Sequence, residues 1–289
     1  MPPFSHGAGR DQAWHAAGSP LTLVGMTAEA TSADAARHRV LEGVLLRLAG
    51  RADAAELVLR GGMLLRHWFR PTPRLALDLD LVAPHPLTPA EARRYLPLFA
   101  DATVADGVVF DLDRLHIEGI WQHTDNPGVR VYACGVVGGN EVDAQIDITG
   151  GPPPRPAPVL GELPTACGRV ARVWVCRPES VAAQKVQALY QMGVLRWRPK
   201  DLNDLSLLLA RVPLVPADLR GAMGAYLADV GGTPDDALAL FGPTAWWGMK
   251  LSTARWLDFA AAGDPGVPRE LSGVVAEVAG RLASGLEGK

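Results

Sequence analysis

Residues 75–82 read Leu-Ala-Leu-Asp-Leu-Asp-Leu-Val. Apolar and acidic side chains alternate there with a period of two, which suits a β-strand with two unlike faces and no helix. On such a strand Asp78 and Asp80 share one face, while Leu77, Leu79 and Leu81 take the other. Two carboxylates held that close repel each other unless a cation lies between them, and Mg²⁺ commonly binds through one or two carboxylates plus substrate phosphates. Upstream, Leu57-Val58-Leu59 reads as a short buried strand that runs into Gly61-Gly62, and a helix follows over Met63–Phe69. Glycines at a strand-to-helix turn let backbone N–H groups approach a phosphate closely. A phosphate cradle beside a metal-binding strand is what transfer of a nucleotidyl group requires.

A further acid on a neighbouring strand would complete a metal site. The segment Glu141–Ile148 supplies candidates, with Asp143, Gln145 and Asp147 on one face and Val142, Ala144, Ile146 and Ile148 on the other. Asp147 sits between isoleucines near the strand end, which holds its carboxylate more rigidly and favours it over Asp143. Asp111-Leu112-Asp113 repeats the spacing of the first pair without a glycine turn before it, and reads as surface.

Around this block the pattern predicts a helix from Ser32 to about Leu48, with Ser32 as N-cap, and another over Pro89–Phe99. Strands are expected at Val108–Leu115, Val129–Val137, Val142–Ile148 and Val170–Val175. The proline-rich stretch 150–156 marks the domain boundary. Helices are expected at Pro178–Tyr190, Pro199–Leu209, Pro216–Leu227, Thr244–Ala262 and Pro268–Leu286. The expectation is an α/β (α+β) chain: residues 1–30 a loosely ordered extension, 31–150 a catalytic domain, and 151–289 a mostly helical domain. The net charge of −3 gives no global case for nucleic acid or membrane binding, and no apolar run reaches the ~20 residues needed to span a bilayer. Three scattered cysteines and the absence of a Cys/His cluster at zinc-ligand spacing point to a reducing, cytoplasmic setting.

The chain resembles the AbiEii/AbiGii toxin-type (MenA-like) nucleotidyltransferases of the DNA polymerase β-like superfamily. The family's glycine turn matches Gly61-Gly62, and its Arg-x-Ser-x-Asp-x-Asp stretch matches Arg74–Asp80. Its downstream lysine helix and Arg-x-Lys-Asp-x-x-Asp-Leu segment match Glu179–Lys185 and Arg198–Leu205. The resemblance spans about residues 35–210. It implies a nucleotidyltransferase-like mixed sheet flanked by helices, with a nucleoside triphosphate donor, Mg²⁺ (or Mn²⁺) and an acceptor hydroxyl. Carried over, Asp78, Asp80 and Asp147 hold metal, while Gly61, Gly62 and Arg74 bind nucleotide. Lys185 neutralises the triphosphate, and Asp201 acts near the acceptor or orients Lys185. Two positions depart from the pattern: Met63 and Ala76 stand where the family has hydroxyl residues.

Several relatives are toxins that modify tRNA ends and are paired with an antitoxin from a neighbouring gene. Transfer to the 3′ end of tRNA is therefore the expected activity. Basic residues near the motifs (Arg60, Arg66, Arg70, Arg74, Arg196, Arg198 and Lys200) would serve an RNA acceptor, with Trp197 available to stack on a base. Trp246, Trp247 and Trp256 read as helix-packing core. The alternatives are a protein or small-molecule acceptor, and a catalytically lapsed binding partner, the latter motivated by Met63 and Ala76.

Overall fold

The computed structural model describes residues 32–49, 51, 54–69, 75–101, 103–124, 127–242, 245–262 and 266–287. The expected extension at 1–30 and the side chains of Arg70 and Arg74 lie outside the described residues. The chain divides into two compact units: residues 1–153 with 158–175, and residues 154–157 with 176–289.

The first unit is built on a seven-stranded sheet of order β3-β4-β5-β2-β1-β7-β6. Its strands are β1 (Val58–Arg60), β2 (Asp78–Ala83), β3 (Val108–Ile120), β4 (Gly128–Val137), β5 (Asn140–Gly150), β6 (Val159–Pro164) and β7 (Val170–Val175). The sheet is mixed, because β2 runs antiparallel to β1 and parallel to β5. One face is apolar, with Leu79 and Leu81 of β2, Val129 and Val131 of β4, and Ile146 and Ile148 of β5 all buried. Helix α1 (Ser32–Leu48) covers that face with Val40, Leu41, Val44 and Leu45. Each such side chain contributes about 1.5–3 kcal/mol by leaving water. A one-residue slip of β2 and β5 would turn their apolar set outward, at a cost on the order of 10 kcal/mol, which rivals the stability of a whole domain. The register is therefore set by the core, and the polar face inherits it. Buried Arg47 of α1 adds a polar tie, bonding Asp106 Oδ2 at 2.6 Å and the Val108 carbonyl at 2.9 Å.

Local chemistry explains where prediction and structure part. The expected helix over 89–99 is one α-turn, α3 (Pro89–Ala92), followed by a 3₁₀ segment (Arg93–Leu98) that carries Pro97 and so cannot keep the α-helical ladder. Helix α2 begins at Gly61 itself and runs to Trp68. The strand expected from Leu75 begins at Asp78.

The second unit comprises α4 (Pro178–Arg196), α5 (Pro199–Arg211), α6 (Pro216–Ala228), α7 (Pro234–Leu240), α8 (Lys250–Ala262) and α9 (Leu271–Glu287). Four of these start on proline at the first helical position, where the missing N–H costs nothing and φ is already set. Glu179 at the start of α4 is fully buried and accepts the Val215 N–H at 2.7 Å, which ties α4 to the start of α6. Trp247 and Trp256 are core residues as expected. Among the described residues no helix is long and apolar enough to cross a membrane.

Candidate active site

The turn between β1 and α2 opens the site. Gly61 has φ +69°, and a Cβ placed there would lie 1.9 Å from Asp80 Oδ2. Only glycine fits, and its backbone passes directly against the Asp80 carboxylate. The α2 N-terminus has no acidic residue in its first turn and receives no side-chain cap from Arg60. Leading N–H groups of a helix without such a local cap suit an anion.

Strand register then brings the acids together. Arg60 lies opposite Asp80, Asp80 opposite Asp147, and Asp147 opposite Arg130, so four strands present one row of charged side chains. Asp78 lies one pleat along, opposite Gln145. Carboxylate oxygens of Asp78, Asp80 and Asp147 all lie within 4.8 Å of one another. Asp78 and Asp80 are half-buried and Asp147 is buried. Three hard oxygen donors at that spacing, beside a backbone that leaves no room for a Cβ, fit a divalent cation such as Mg²⁺ or Mn²⁺.

The flanking bases differ. Arg60 donates to Thr149 Oγ1 at 3.0 Å. Arg130 forks onto Asp147, with Nε 2.8 Å from Oδ1 and Nη2 2.9 Å from Oδ2. That side-chain bond, working against desolvation, holds the Arg130 guanidinium above its usual pKa. Gln145 Nε2 reaches the same two oxygens at 3.2 and 3.3 Å. Arg130 escaped the sequence reading, although a signal existed: it and Tyr132 are the polar members of an otherwise apolar alternation in Val129–Ala133. Asp143 is exposed and pairs with Arg114 at 3.1 Å. Asp111 and Asp113 sit on β3, outside the triad, with Asp111 Oδ1 accepting the Asp113 N–H at 3.0 Å.

Met63 and Ala76, the two departures from the family pattern, are both buried. The Ala76 N–H donates to His38 Nε2 of α1 at 3.0 Å, which ties the approach to β2 to the core helix. Burial, reinforced by the Arg66 charge, lowers the His38 pKa to about 4, so the imidazole stays neutral and able to accept.

In the second unit Lys185 Nζ bonds Asp201 Oδ1 at 2.7 Å and Asp204 Oδ2 at 2.8 Å. Burial alone would lower the lysine pKa, but Asp204 and Asp201 reverse that and leave it raised. Arg198 Nε takes the other Asp201 oxygen at 2.6 Å. Trp197, expected as a base platform, is instead buried to 1% exposure and packs on Trp246 and Trp247, with ring centroids 5.5 and 5.1 Å away. Its large apolar surface is better used inside a helical core than on a wet face.

A glycine turn abutting one of three clustered aspartates, on a mixed sheet backed by helices, is the layout of a nucleotidyl-transferring enzyme. The family model described as "Nucleotidyl transferase AbiEii toxin, Type IV TA system" matches residues 43–276, and the chain belongs to that family. It is thus a nucleotidyltransferase of a toxin class. No curated protein matches the chain. Among solved structures it is similar to JHP933 from Helicobacter pylori, with 14% identity, 89% of this chain and 94% of that chain covered, and a TM-score of 0.49. It is also similar to an antigenic nucleotidyltransferase-like protein from Paracoccidioides brasiliensis, with 15% identity, 68% and 87% covered, and a TM-score of 0.40.

Proposed function

We propose that this chain transfers a nucleoside monophosphate from an NTP to the 3′-terminal hydroxyl of tRNA, as the toxin of a toxin–antitoxin or phage-defence pair, in the cytoplasm. The observation that carries the reading is the convergence of Asp78, Asp80 and Asp147 beside the Gly61 turn. In the reaction the acceptor oxygen bonds to the α-phosphorus, the bond to the bridging oxygen breaks, and pyrophosphate leaves. Mg²⁺ or Mn²⁺ held by the three carboxylates would lower the pKa of the acceptor hydroxyl and stabilise the leaving group. Gly61 and Gly62 would present backbone N–H groups to the triphosphate, joined by Arg74. Lys185 would neutralise triphosphate charge, and its 2.7 Å bond to Asp201 supports the orienting role for that acid over direct work at the acceptor. A cognate antitoxin is the expected partner in the cell.

A second reading keeps the chemistry and changes the acceptor to a protein hydroxyl or a small molecule. The burial of Trp197 favours giving it weight, since the aromatic offered for base stacking is not on the surface. The lapsed-enzyme reading draws on Met63 and Ala76, which carry no hydroxyl and face the interior. The test is incubation of purified protein with total tRNA, Mg²⁺ and each α-labelled NTP in turn, beside the Asp78→Ala/Asp80→Ala double variant. Label entering RNA only with the parent protein supports tRNA transfer. Label entering protein or a small molecule moves the conclusion to the second reading, and no label with any acceptor moves it to the third.

A further inference from the structure

The lone pairs of Asp147 are heavily used. A carboxylate offers about four acceptor positions. Arg130 fills one on each oxygen, at 2.8 and 2.9 Å, and Gln145 Nε2 lies 3.2 and 3.3 Å from the same pair. Strand register sets Arg130 opposite Asp147, whose side chain is only 6% exposed. A bidentate guanidinium–carboxylate pair is among the stronger hydrogen-bonded contacts available to a protein. A cation that uses Asp147 as a ligand must therefore share its oxygens with donors already there, next to a positive charge.

We propose that Arg130 is a positioning residue that restrains Asp147 and so meters cation entry, keeping divalent metal weakly bound until a triphosphate arrives. The inference rests on the proposed cation site. The negative charge of a triphosphate offsets the guanidinium and lets Asp147 turn an oxygen toward the metal without loss. Arg130 itself touches neither substrate nor reacting atoms. A purely structural arginine would behave oppositely, because its removal would loosen Asp147 and weaken metal binding.

The experiment titrates Mn²⁺ into the nucleotide-free full-length protein and follows free ion by electron paramagnetic resonance. The parent is compared with Arg130→Gln, Arg130→Lys and Asp80→Asn, each checked for an unchanged thermal unfolding profile. Arg130→Gln is expected to bind Mn²⁺ about tenfold more tightly than the parent, the size of one charge-assisted bond released. Arg130→Lys, which keeps the charge without the fork, is expected to fall between them and covers the case where Arg130→Gln fails to fold. With inorganic tripolyphosphate present the differences should shrink to within about twofold. Unchanged or weaker Mn²⁺ binding in folded Arg130→Gln or Arg130→Lys overturns the proposal. If Asp80→Asn binds Mn²⁺ as the parent does, the cation site itself is wrong. If only Asp80→Asn loses binding while the arginine variants match the parent, the site stands and the role of Arg130 falls.

Discussion

The two units each gather aspartates, and they finish the job differently. In the helical unit Asp201 and Asp204 close on Lys185, and Arg198 takes a further oxygen of Asp201, so two acids meet two bases. In the sheet unit three carboxylates lie within 4.8 Å of one another, and Arg130 forks onto Asp147. Matched buried charge is tolerable because every group is compensated, and breaking it is costly. Carboxylates that close repel one another, and a cation bound among them offsets that repulsion. The first cluster therefore belongs to the architecture of its unit, whatever it adds to catalysis, and the second belongs to chemistry first.

That contrast can be broken in four ways. The largest effect is expected from Asp80→Asn. Nucleotidyl transfer should fall about a thousandfold, the several kcal/mol that a bound cation contributes, while the unfolding midpoint holds or rises. A melt that collapses with this change would make the triad structural. Next, Asp204→Ala should cost about 3–5 kcal/mol in urea unfolding, because Lys185 loses a buried partner. A loss below about 0.5 kcal/mol would place the helical cluster among ordinary surface pairs.

The third test uses pH. His38 has a folded pKa of about 4 against 6.5 unfolded, so below pH 6.5 the unfolded chain takes up a proton that the folded one refuses. The stability it supports is present above pH 6.5 and is lost as pH falls towards 4, by about 2–3 kcal/mol. Between pH 7 and 4 the unfolding free energy should fall by about 2–3 kcal/mol more for the parent than for His38→Gln, and parallel curves would remove His38 as the cause. The smallest effect is expected from Asp143→Asn. Its exposed pairing with Arg114 predicts a stability change within about 0.5 kcal/mol and transfer within about twofold of the parent. A loss like that expected of Asp80→Asn would reopen the choice between Asp143 and Asp147.

The sheet face was legible in the sequence wherever an alternation was pure. Leu-Asp-Leu-Asp in β2 and Ala-Gln-Ile-Asp in β5 state both the strand and its two faces. Prolines at the starts of α4, α5 and α6 marked those helices. β6 was not legible, because Val-Leu-Gly-Glu-Leu-Pro breaks its own alternation with Gly161 and ends on Pro164, which an edge strand tolerates. α7 is seven residues, too short for its apolar spacing to stand out, although Thr233 and Asp236 form a capping box at its start. The fork of Arg130 onto Asp147 is a cross-strand fact, and no local window contains both residues. Trp197 was misread because it lies among Arg196, Arg198 and Lys200, and neighbours in sequence say little about which way a turn faces.

Because the acids meet through strand pairing, the chain should tolerate change in length very unevenly. Residues added or removed at the β2–α3 connection, between β3 and β4 or at the Gly138-Gly139 turn would leave every pair in the Arg60–Asp80–Asp147–Arg130 row intact. A single codon lost inside β2 between Asp78 and Asp80, or inside β5 ahead of Asp147, leaves the chain two poor choices. Either the strand keeps its apolar face and a bulge absorbs the gap, or the aspartates rotate into the core. Lineages of such a protein would then diverge by insertion at the loop ends of the sheet while two stretches of half a dozen residues stay fixed in length.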